Sequence, residues 1–174
     1  MKTLVYAAPE KVEVRDMPVP EPKEGQVRIR VSYCGICGSD IGIFAGKHPR
    51  AKAPLVLGHE FIGTIESING GSGRFKVGDR VSPYPLLSCG HCFACKTGIP
   101  HVCQTLKLIG IDVDGGIAEY VTCDENVLFK IDDEVSDAYW PDEGRAHDAL
   151  VLEGQVKQNG NALIGAALIF TGDV

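Results

Sequence analysis

The chain has 174 residues, a net charge of −6 and a hydrophobic fraction of 44%, which is enough for a packed core and too apolar for a disordered chain. An acidic chain without a basic run is a poor binder of nucleic acids and membrane surfaces, so we expect neither as a partner. Apolar runs stay below the ~18 residues of a membrane span, and charges near the N-terminus argue against a signal peptide, so we expect a cytoplasmic location.

The predicted elements are short strands separated by turns, in keeping with 21 glycines and ten prolines. Residues 4–6 and 12–15 predict a hairpin, and residues 26–31 predict a half-buried strand because apolar side chains occupy every second position. Further strands are predicted over 55–68, within a strand–turn–strand at 76–81, and over 117–122. This pattern favours a mainly β fold, either a barrel or a sandwich.

After about residue 134 the sequence changes character. Trp140, the only tryptophan, is interpreted as a packing anchor. Residues 146–156 predict a helix, and residues 162–170 form a small apolar run.

Seven cysteines, an odd number clustered along the chain, indicate metal binding rather than a disulfide framework. Four of them form a loop motif with the spacing C-x2-C-x2-C-x7-C: Cys89, Cys92, Cys95 and Cys103. Zn²⁺ accepts four thiolates at ~2.3 Å in a closed shell, so the motif predicts a structural zinc. An iron–sulfur cluster fits less well, because the ferredoxin run ends C-x3-C-P. Unligated or disulfide-bonded cysteines are the remaining interpretation.

A second group of residues combines a thiol, an imidazole and a carboxylate. It is carried by the motifs Cys37-Gly38-Ser39-Asp40 and Gly58-His59-Glu60. Mixed ligands of this kind suit a catalytic zinc, which keeps a position open for water or substrate. Each motif alone is weak, because a lone histidine on a strand is more often a packed or surface group. Followed by the four-cysteine loop, the two motifs are far more specific.

Five motifs in a fixed order resemble those of zinc-dependent medium-chain alcohol dehydrogenases, above all the polyol, sugar-alcohol phosphate and threonine dehydrogenases. They are Cys-Gly-Ile-Cys-Gly-Ser-Asp, Gly-His-Glu, Val-Gly-Asp-Arg-Val, the four-cysteine loop and Gly-Gly-Ile-Ala-Glu-Tyr. The resemblance covers about residues 1–133. It implies a GroES-like β-barrel with a few short helices and a zinc-binding loop, one structural and one catalytic zinc, and an NAD(P)-dependent oxidation of an alcohol.

The resemblance also implies a role for each site residue. Cys37 and His59 match catalytic zinc ligands, and Glu60 matches a carboxylate that binds or flanks this zinc. Ser39 matches the hydroxyl that hydrogen-bonds the substrate oxygen, and Asp40 matches the acid that orients the ligand histidine. The structural-zinc ligands are matched by the four loop cysteines: Cys89, Cys92, Cys95 and Cys103.

Two positions depart from the pattern of the family within or near the site. Many relatives place a histidine two residues after the aspartate that matches Asp40, where it passes the substrate proton to solvent; here the position is Gly42. His48 lies nearby in the sequence, with no observation that gives it this role. Relatives also draw a further zinc ligand from beyond the Ala-Glu-Tyr motif, and Glu143 is the nearest candidate.

The third departure is the lack of a dinucleotide-binding fingerprint. A nucleotide domain needs repeated βαβ units of ~30 residues and a G-x-G-x-x-G turn, and the glycines after residue 133 lack this spacing. We therefore expect 1–133 to be the GroES-like zinc-binding catalytic domain and 134–174 to be a tail. The tail is either the segment that relatives place after their nucleotide domain or a remnant. NAD or NADP binding is expected only if a nucleotide domain is supplied.

The remaining cysteines and histidines predict packing or exposure rather than chemistry. Cys34, three residues before Cys37, is expected to pack at a strand end rather than act in a redox pair, and Cys123 to be an ordinary buried thiol. His91 and His101, inside the four-cysteine loop, are expected to be solvated.

Two functional hypotheses follow. The first is the catalytic domain of a dehydrogenase for a small-molecule secondary alcohol, polyol or sugar alcohol, inactive as this isolated chain. The second is a non-enzymatic, zinc-stabilised interaction or oligomerisation module derived from such an enzyme. A zinc-ribbon nucleic-acid binder is disfavoured by the negative charge. We also expect a homo-oligomer, because the wall that a nucleotide domain would cover becomes surface.

Overall fold

The computed structural model describes residues 1–134 and the backbone of two later strands, Leu150–Leu152 and Ala166–Ile169. The strands are, in chain order, β1 (Lys2–Ala8), β2 (Lys11–Asp16), β3 (Gln26–Gly35), β4 (Leu55–Val56), β5 (Glu60–Asn69), β6 (Arg80–Pro83), β7 (Leu86–Leu87), β8 (Lys107–Leu108), β9 (Tyr120–Asp124), β10 (Leu128–Lys130), β11 (Leu150–Leu152) and β12 (Ala166–Ile169). The α-helices are α1 (Gly38–Phe44) and α2 (Phe93–Lys96), and 3₁₀ turns cover Pro100–Val102 and Glu125–Val127. The predicted mainly β fold is confirmed. Among the described residues, no helix has the length and apolar character needed to cross a membrane.

The largest sheet is built around β3. One edge of β3 pairs with β5, and the other pairs first with β9 and then with β12, all antiparallel. Val27, Ile29 and Val31 are 0%, 0% and 2% exposed, so the predicted alternation of this strand is confirmed. Their side chains pack into the main hydrophobic core, which anchors the strand that leads to Cys37.

The predicted N-terminal hairpin is also confirmed. β1 and β2 pair antiparallel, with Leu4 opposite Val14 and Tyr6 opposite Val12. The other edge of β1 pairs with the short strand β4. Because β4 ends at Val56, this pairing fixes the backbone just ahead of His59.

Two strand predictions need correction at their ends. The predicted strand at residues 76–77 is wrong: the Lys76 amide donates to the carboxylate of Asp79 at 3.0 Å, which closes a turn, and β6 begins only at Arg80. The strand predicted from residue 117 begins at Tyr120. Ahead of this strand, the Ile117 amide donates a hydrogen bond to the Leu57 carbonyl, and the Ile117 carbonyl accepts one from the Leu4 amide.

The helix predicted over residues 146–156 is wrong where the structure describes it. Leu150–Leu152 forms strand β11, which pairs parallel with β12. A short apolar run has no periodicity that separates a buried strand from a helix, which explains the error. The rest of this range, and Trp140, lie outside the described residues.

A glycine turn packs directly onto the segment that carries His59. The amides of Gly115, Gly116 and Ile117 donate to the carbonyls of Val56, Gly58 and Leu57 at 2.9, 2.8 and 3.0 Å respectively. This approach leaves no room for side chains. A Cβ atom on Gly116 would overlap the ring of Phe61, which is 1% exposed.

Gly116→Ala is therefore expected to lower the free energy of unfolding by about 1–3 kcal/mol, because the buried Phe61 ring has nowhere to move. The matched control is Gly42→Ala, where an added Cβ meets nothing within 4 Å and alanine favours helix α1. Urea denaturation of both variants is the measurement. Equal stability of the two would contradict the packing described for this turn.

Candidate functional site

The four-cysteine loop folds so that its thiols converge. Helix α2 begins after Cys92 and carries Cys95, and the 3₁₀ turn at Pro100–Val102 returns the chain to Cys103. The Sγ–Sγ distances are 3.5 Å for Cys92–Cys95, 3.9 Å for Cys92–Cys103 and 4.0 Å for Cys89–Cys95. All four sulfur atoms lie within 4.8 Å of one another. A tetrahedral zinc with ~2.3 Å bonds needs sulfur atoms ~3.8 Å apart, so the thiols fit this ion.

Backbone amides stabilise negative charge in this cluster. The amide of Cys89 donates to Cys103 Sγ at 3.3 Å and lowers the pKa of Cys103 to about 6. The amide of Cys95 likewise lowers the pKa of Cys92. Burial and a hydrogen bond with Cys92 raise the pKa of Cys95 to about 11. Amide donors favour the thiolate, which is the form that binds metal.

The second cluster forms where helix α1 begins. Cys37 is the N-cap of α1, and its Sγ atom accepts a hydrogen bond from the Ser39 amide at 3.4 Å. The same Sγ lies 2.8 Å from Ser39 Oγ and 3.2 Å from His59 Nε2. Ser39 Oγ is 3.5 Å from that ring nitrogen. A thiol, a hydroxyl and an imidazole nitrogen from two distant segments therefore surround one point.

Asp40 joins the two segments through their backbones. Its side chain is buried, with 3% exposure, and its carboxylate accepts the amides of Cys37 at 2.9 Å and Gly58 at 3.3 Å. The thiol of Cys37, the ring of His59 and this carboxylate lie within 4.8 Å of one another. Asp40 thus acts on the segment of His59 through the amide of the preceding residue. His59 Nδ1 is buried and has no hydrogen-bond partner among the described residues.

The electrostatics of this cluster favour a cation between the sulfur and the ring. Burial alone would raise the pKa of Cys37, but hydrogen bonds with His59 and Ser39 outweigh it and lower the pKa. Burial alone would lower the pKa of His59, but its hydrogen bond with Cys37 and the charge of Asp40 outweigh it and raise the pKa. Both shifts stabilise a thiolate beside a positive charge. A divalent metal bound between the sulfur and the ring nitrogen would supply that positive charge in place of the proton.

Neither Glu60 nor His48 belongs to the group of converging ligand atoms. The exposed Glu60 is not among the groups whose ligand atoms converge within 4.8 Å. His48 Nδ1 accepts the amides of Arg50 and Ala51 at 3.4 and 3.2 Å, so this ring caps a local turn. Glu143 lies outside the described residues.

The burial expected of the remaining cysteines and the exposure expected of His91 and His101 are confirmed. Cys34 is fully buried, which raises its pKa well above the ordinary value, and burial raises the pKa of Cys123 to about 12. Neither thiol is poised for redox chemistry. His91 and His101 are exposed.

Asp114, which no sequence motif marks as a site residue, helps to position the segment that leads to His59. Its carboxylate accepts the amide of Val56 at 3.0 Å, across 58 residues of sequence. No local pattern could have indicated this bond, because the two segments meet only in the folded barrel.

Fold and site together define a zinc-type alcohol dehydrogenase-like catalytic domain. Residues 23–133 match the alcohol dehydrogenase GroES-like domain family, and the chain belongs to this family. It is 41% identical over 139 residues to the starvation-sensing protein RspB of Escherichia coli K12, which covers 80% of this chain and 41% of that protein. It is 32% identical over 180 residues to L-threonine 3-dehydrogenase of Marinomonas sp. MWYL1, covering 99% of this chain and 50% of that one.

The same relationship holds for a solved structure. The alcohol dehydrogenase RspB of E. coli CFT073, crystallised with NADH, superposes with a TM-score of 0.75 at 40% identity, over 80% of this chain and 40% of that chain. The GroES-like family resemblance seen in the sequence is confirmed. The chain spans 40–50% of the length of these relatives.

Proposed function

We propose that this chain supplies the zinc-binding catalytic domain of a dehydrogenase that oxidises a secondary alcohol, polyol or sugar alcohol with NAD or NADP. The convergence of Cys37 Sγ, Ser39 Oγ and His59 Nε2 within 3.5 Å of one another carries the proposal. A relative named as a threonine 3-dehydrogenase and another crystallised with NADH support the same class of reaction.

Two zinc ions are proposed, one for each cluster. Cys37 and His59 would hold the catalytic zinc, with Glu60 as the carboxylate that flanks it. The donor set fits, because thiolate and imidazole are zinc ligands and the half-buried position leaves room for substrate. The structural zinc would be held by four thiolates, those of Cys89, Cys92, Cys95 and Cys103.

The residues around the catalytic position have separate tasks. Zinc bound there would polarise a substrate hydroxyl and lower its pKa. Ser39 Oγ lies beside the sulfur and the ring nitrogen, where it would accept a hydrogen bond from that hydroxyl. Asp40 keeps the ligands in place through the amides of Cys37 and Gly58. A nicotinamide cofactor would supply the hydride acceptor, and no dinucleotide-binding fingerprint occurs in these 174 residues.

The alternative is a non-enzymatic zinc-stabilised module that associates with copies of itself. Phe93 and Val102 on the four-cysteine loop favour it, since their side chains are 76% and 56% exposed. Exposed apolar side chains of this size are favourable contacts for a partner surface. A homo-oligomer is proposed under both functions.

The zinc-loaded chain alone is expected to bind no NADH at micromolar concentration and to transfer no hydride, because it lacks a nucleotide fingerprint whose helix N-terminus holds the pyrophosphate. Fused to the dinucleotide-binding domain of E. coli RspB, it is expected to reduce NAD with a secondary alcohol or polyol. NADH fluorescence, NADH absorbance and light scattering are the measurements. A stable zinc-loaded oligomer whose fusion oxidises no alcohol would instead support the non-enzymatic module.

A further inference from the structure

Strand β2 lies at an edge of the three-stranded sheet that it forms with β1 and β4. It pairs with β1, and with no other strand in the part of the chain that the structure describes. Four of its six residues are exposed, among them Val14 at 63%. An edge strand presents backbone amides and carbonyls that have no partner strand, so β2 can accept a further strand along this side.

The hydrogen bonds of the hairpin fix which groups of β2 face outward. The Met1 nitrogen donates to the Met17 carbonyl at 2.7 Å, and the Met17 amide donates to the Met1 carbonyl at 2.9 Å. Such hydrogen-bonded pairs alternate, along an antiparallel ladder, with pairs whose backbone groups point away from the partner strand. By the observed register, the outward-pointing amides and carbonyls of β2 are those of Val12, Val14 and Asp16.

A bond on the other side of β1 agrees with this assignment. Leu4 lies opposite Val14 in the hairpin, but its amide donates to the Ile117 carbonyl at 2.9 Å rather than to β2. The backbone groups of this pair therefore point away from each other, as the alternation requires.

A second copy of β2 matches this edge in charge. In a two-fold antiparallel pair, opposed residues share one face, so their numbers are both odd or both even. An axis at Val14 places the two Val14 side chains together and Glu13 opposite Arg15 of the second copy, twice by symmetry. An axis at Glu13 would oppose two glutamates, and Lys11 to Arg15. An axis at Val12 also joins opposite charges, but it pairs only residues 11–13 because the strand begins at Lys11.

We propose that two copies of this chain associate through the outer edge of β2, in the antiparallel register centred on Val14. Backbone hydrogen bonds join the outward groups of Val14 to those of the second copy, and join those of Val12 to those of Asp16. The two exposed Val14 side chains cover each other. The charged side chains of this edge hinder pairing with other strands and favour pairing with its own copy.

The ion pairs within a single copy do not oppose this arrangement. Glu13 contacts Lys11 at 2.6 Å and Arg15 at 2.7 Å, and all three side chains are at least one-third exposed. Exposed pairs of this kind contribute little to stability, so Glu13 can exchange one of these cations for Arg15 of the second copy.

The inference rests on the homo-oligomer proposed above, for which it names the surface. This surface is separate in sequence from the exposed Phe93 and Val102 of the four-cysteine loop, and it includes no residue of either cysteine cluster. It applies equally to a dehydrogenase domain and to a non-enzymatic module.

Charge reversal within β2 tests the register, with analytical ultracentrifugation at low ionic strength as the measurement. Glu13→Arg and Arg15→Glu each bring like charges together, so either variant alone should dimerise at least ~10-fold more weakly than the wild type. An equimolar mixture of the two should regain the wild-type affinity, because every opposed pair then joins opposite charges. The control Glu24→Arg makes the same change of charge at an exposed position outside β2 and should dimerise as the wild type does.

Val14→Pro tests the backbone bonds. The Val14 amide points away from β1, so proline should leave the hairpin folded while it removes a donor from the outer edge. This variant is expected to be monomeric, whereas Val14→Thr, which keeps the amide, should still dimerise. Circular dichroism and urea denaturation show whether each variant is folded.

A wild-type chain that stays monomeric would overturn the inference together with the homo-oligomer. It would leave the dehydrogenase proposal in place, because the fusion assay tests that proposal separately. A dimer that either single charge reversal leaves unaffected, or a mixture no tighter than its components, would overturn the inference alone and place the contact on another surface or in another register. A dimer strengthened by Arg15→Glu alone would also overturn it, in favour of the register centred on Glu13.

Discussion

Cys103→Ser is expected to lose the metal of the four-cysteine loop and to unfold that loop. The Cys103 thiol is 7% exposed, and its sulfur also accepts the Cys89 amide that begins the loop. Because metal binding at a structural site supplies folding energy, the free energy of unfolding should fall by about 4 kcal/mol or more. Elemental analysis after dialysis against a weak chelator should give about one zinc per wild-type chain and close to none in the variant.

His101→Ser is the matched control for this variant. His101 lies in the same loop, is exposed and has no hydrogen-bond partner among the described residues, so its loss should leave metal content and stability unchanged. Hydrogen exchange should show unprotected amides between residues 88 and 106 in Cys103→Ser only. A Cys103→Ser protein that keeps its tightly held zinc and a protected loop would contradict the assignment of this cysteine.

His59→Gln is expected to remove the more weakly held metal and to leave the four-cysteine site loaded. The wild-type chain should bind about two metal ions under saturating Co²⁺ and the variant about one, because the open position loses its imidazole ligand. The fold should persist, since the core of the barrel lies around β3 rather than around this ring. Cobalt absorption and elemental analysis measure the loss.

Asp40→Asn is expected to weaken metal binding at the same position without removing a ligand. The amides of Cys37 and Gly58 donate to different oxygens of the Asp40 carboxylate. An asparagine side chain has only one oxygen, so it can keep only one of these two bonds. Metal affinity at the Cys37/His59 position should fall by ~10–100-fold with the four-cysteine site unaffected. Equal loss from both sites would show that Asp40 supports the barrel in general rather than this position.

Much of the fold follows from local patterns in the sequence. The alternation of β3 and the hairpin of β1 and β2 were predictable because each strand has one buried face, which gives a period of two. The strand ends at residues 76–81 and 117–122 were not predictable from local patterns. They depend on the hydrogen bond that the Asp79 carboxylate accepts from the Lys76 amide and on the backbone bonds of Ile117 to other segments. The helix predicted at 146–156 failed for the same kind of reason, since pairing partners rather than periodicity decide the conformation of a short apolar run.

The sequence by itself determined the four-cysteine cluster, because its thiols lie within 15 residues of one another and their spacing lets them turn toward one point. It also indicated that the thiol of Cys37 and the imidazole of His59 would meet at the second cluster, where the converging carboxylate is that of Asp40 rather than Glu60. Only the tertiary structure decided how Asp40 reaches the segment of His59 and how Asp114 holds the amide of Val56. Those features join segments that are 18 to 58 residues apart. Their contacts arise from burial and backbone hydrogen bonding in the folded domain, which no local spacing encodes.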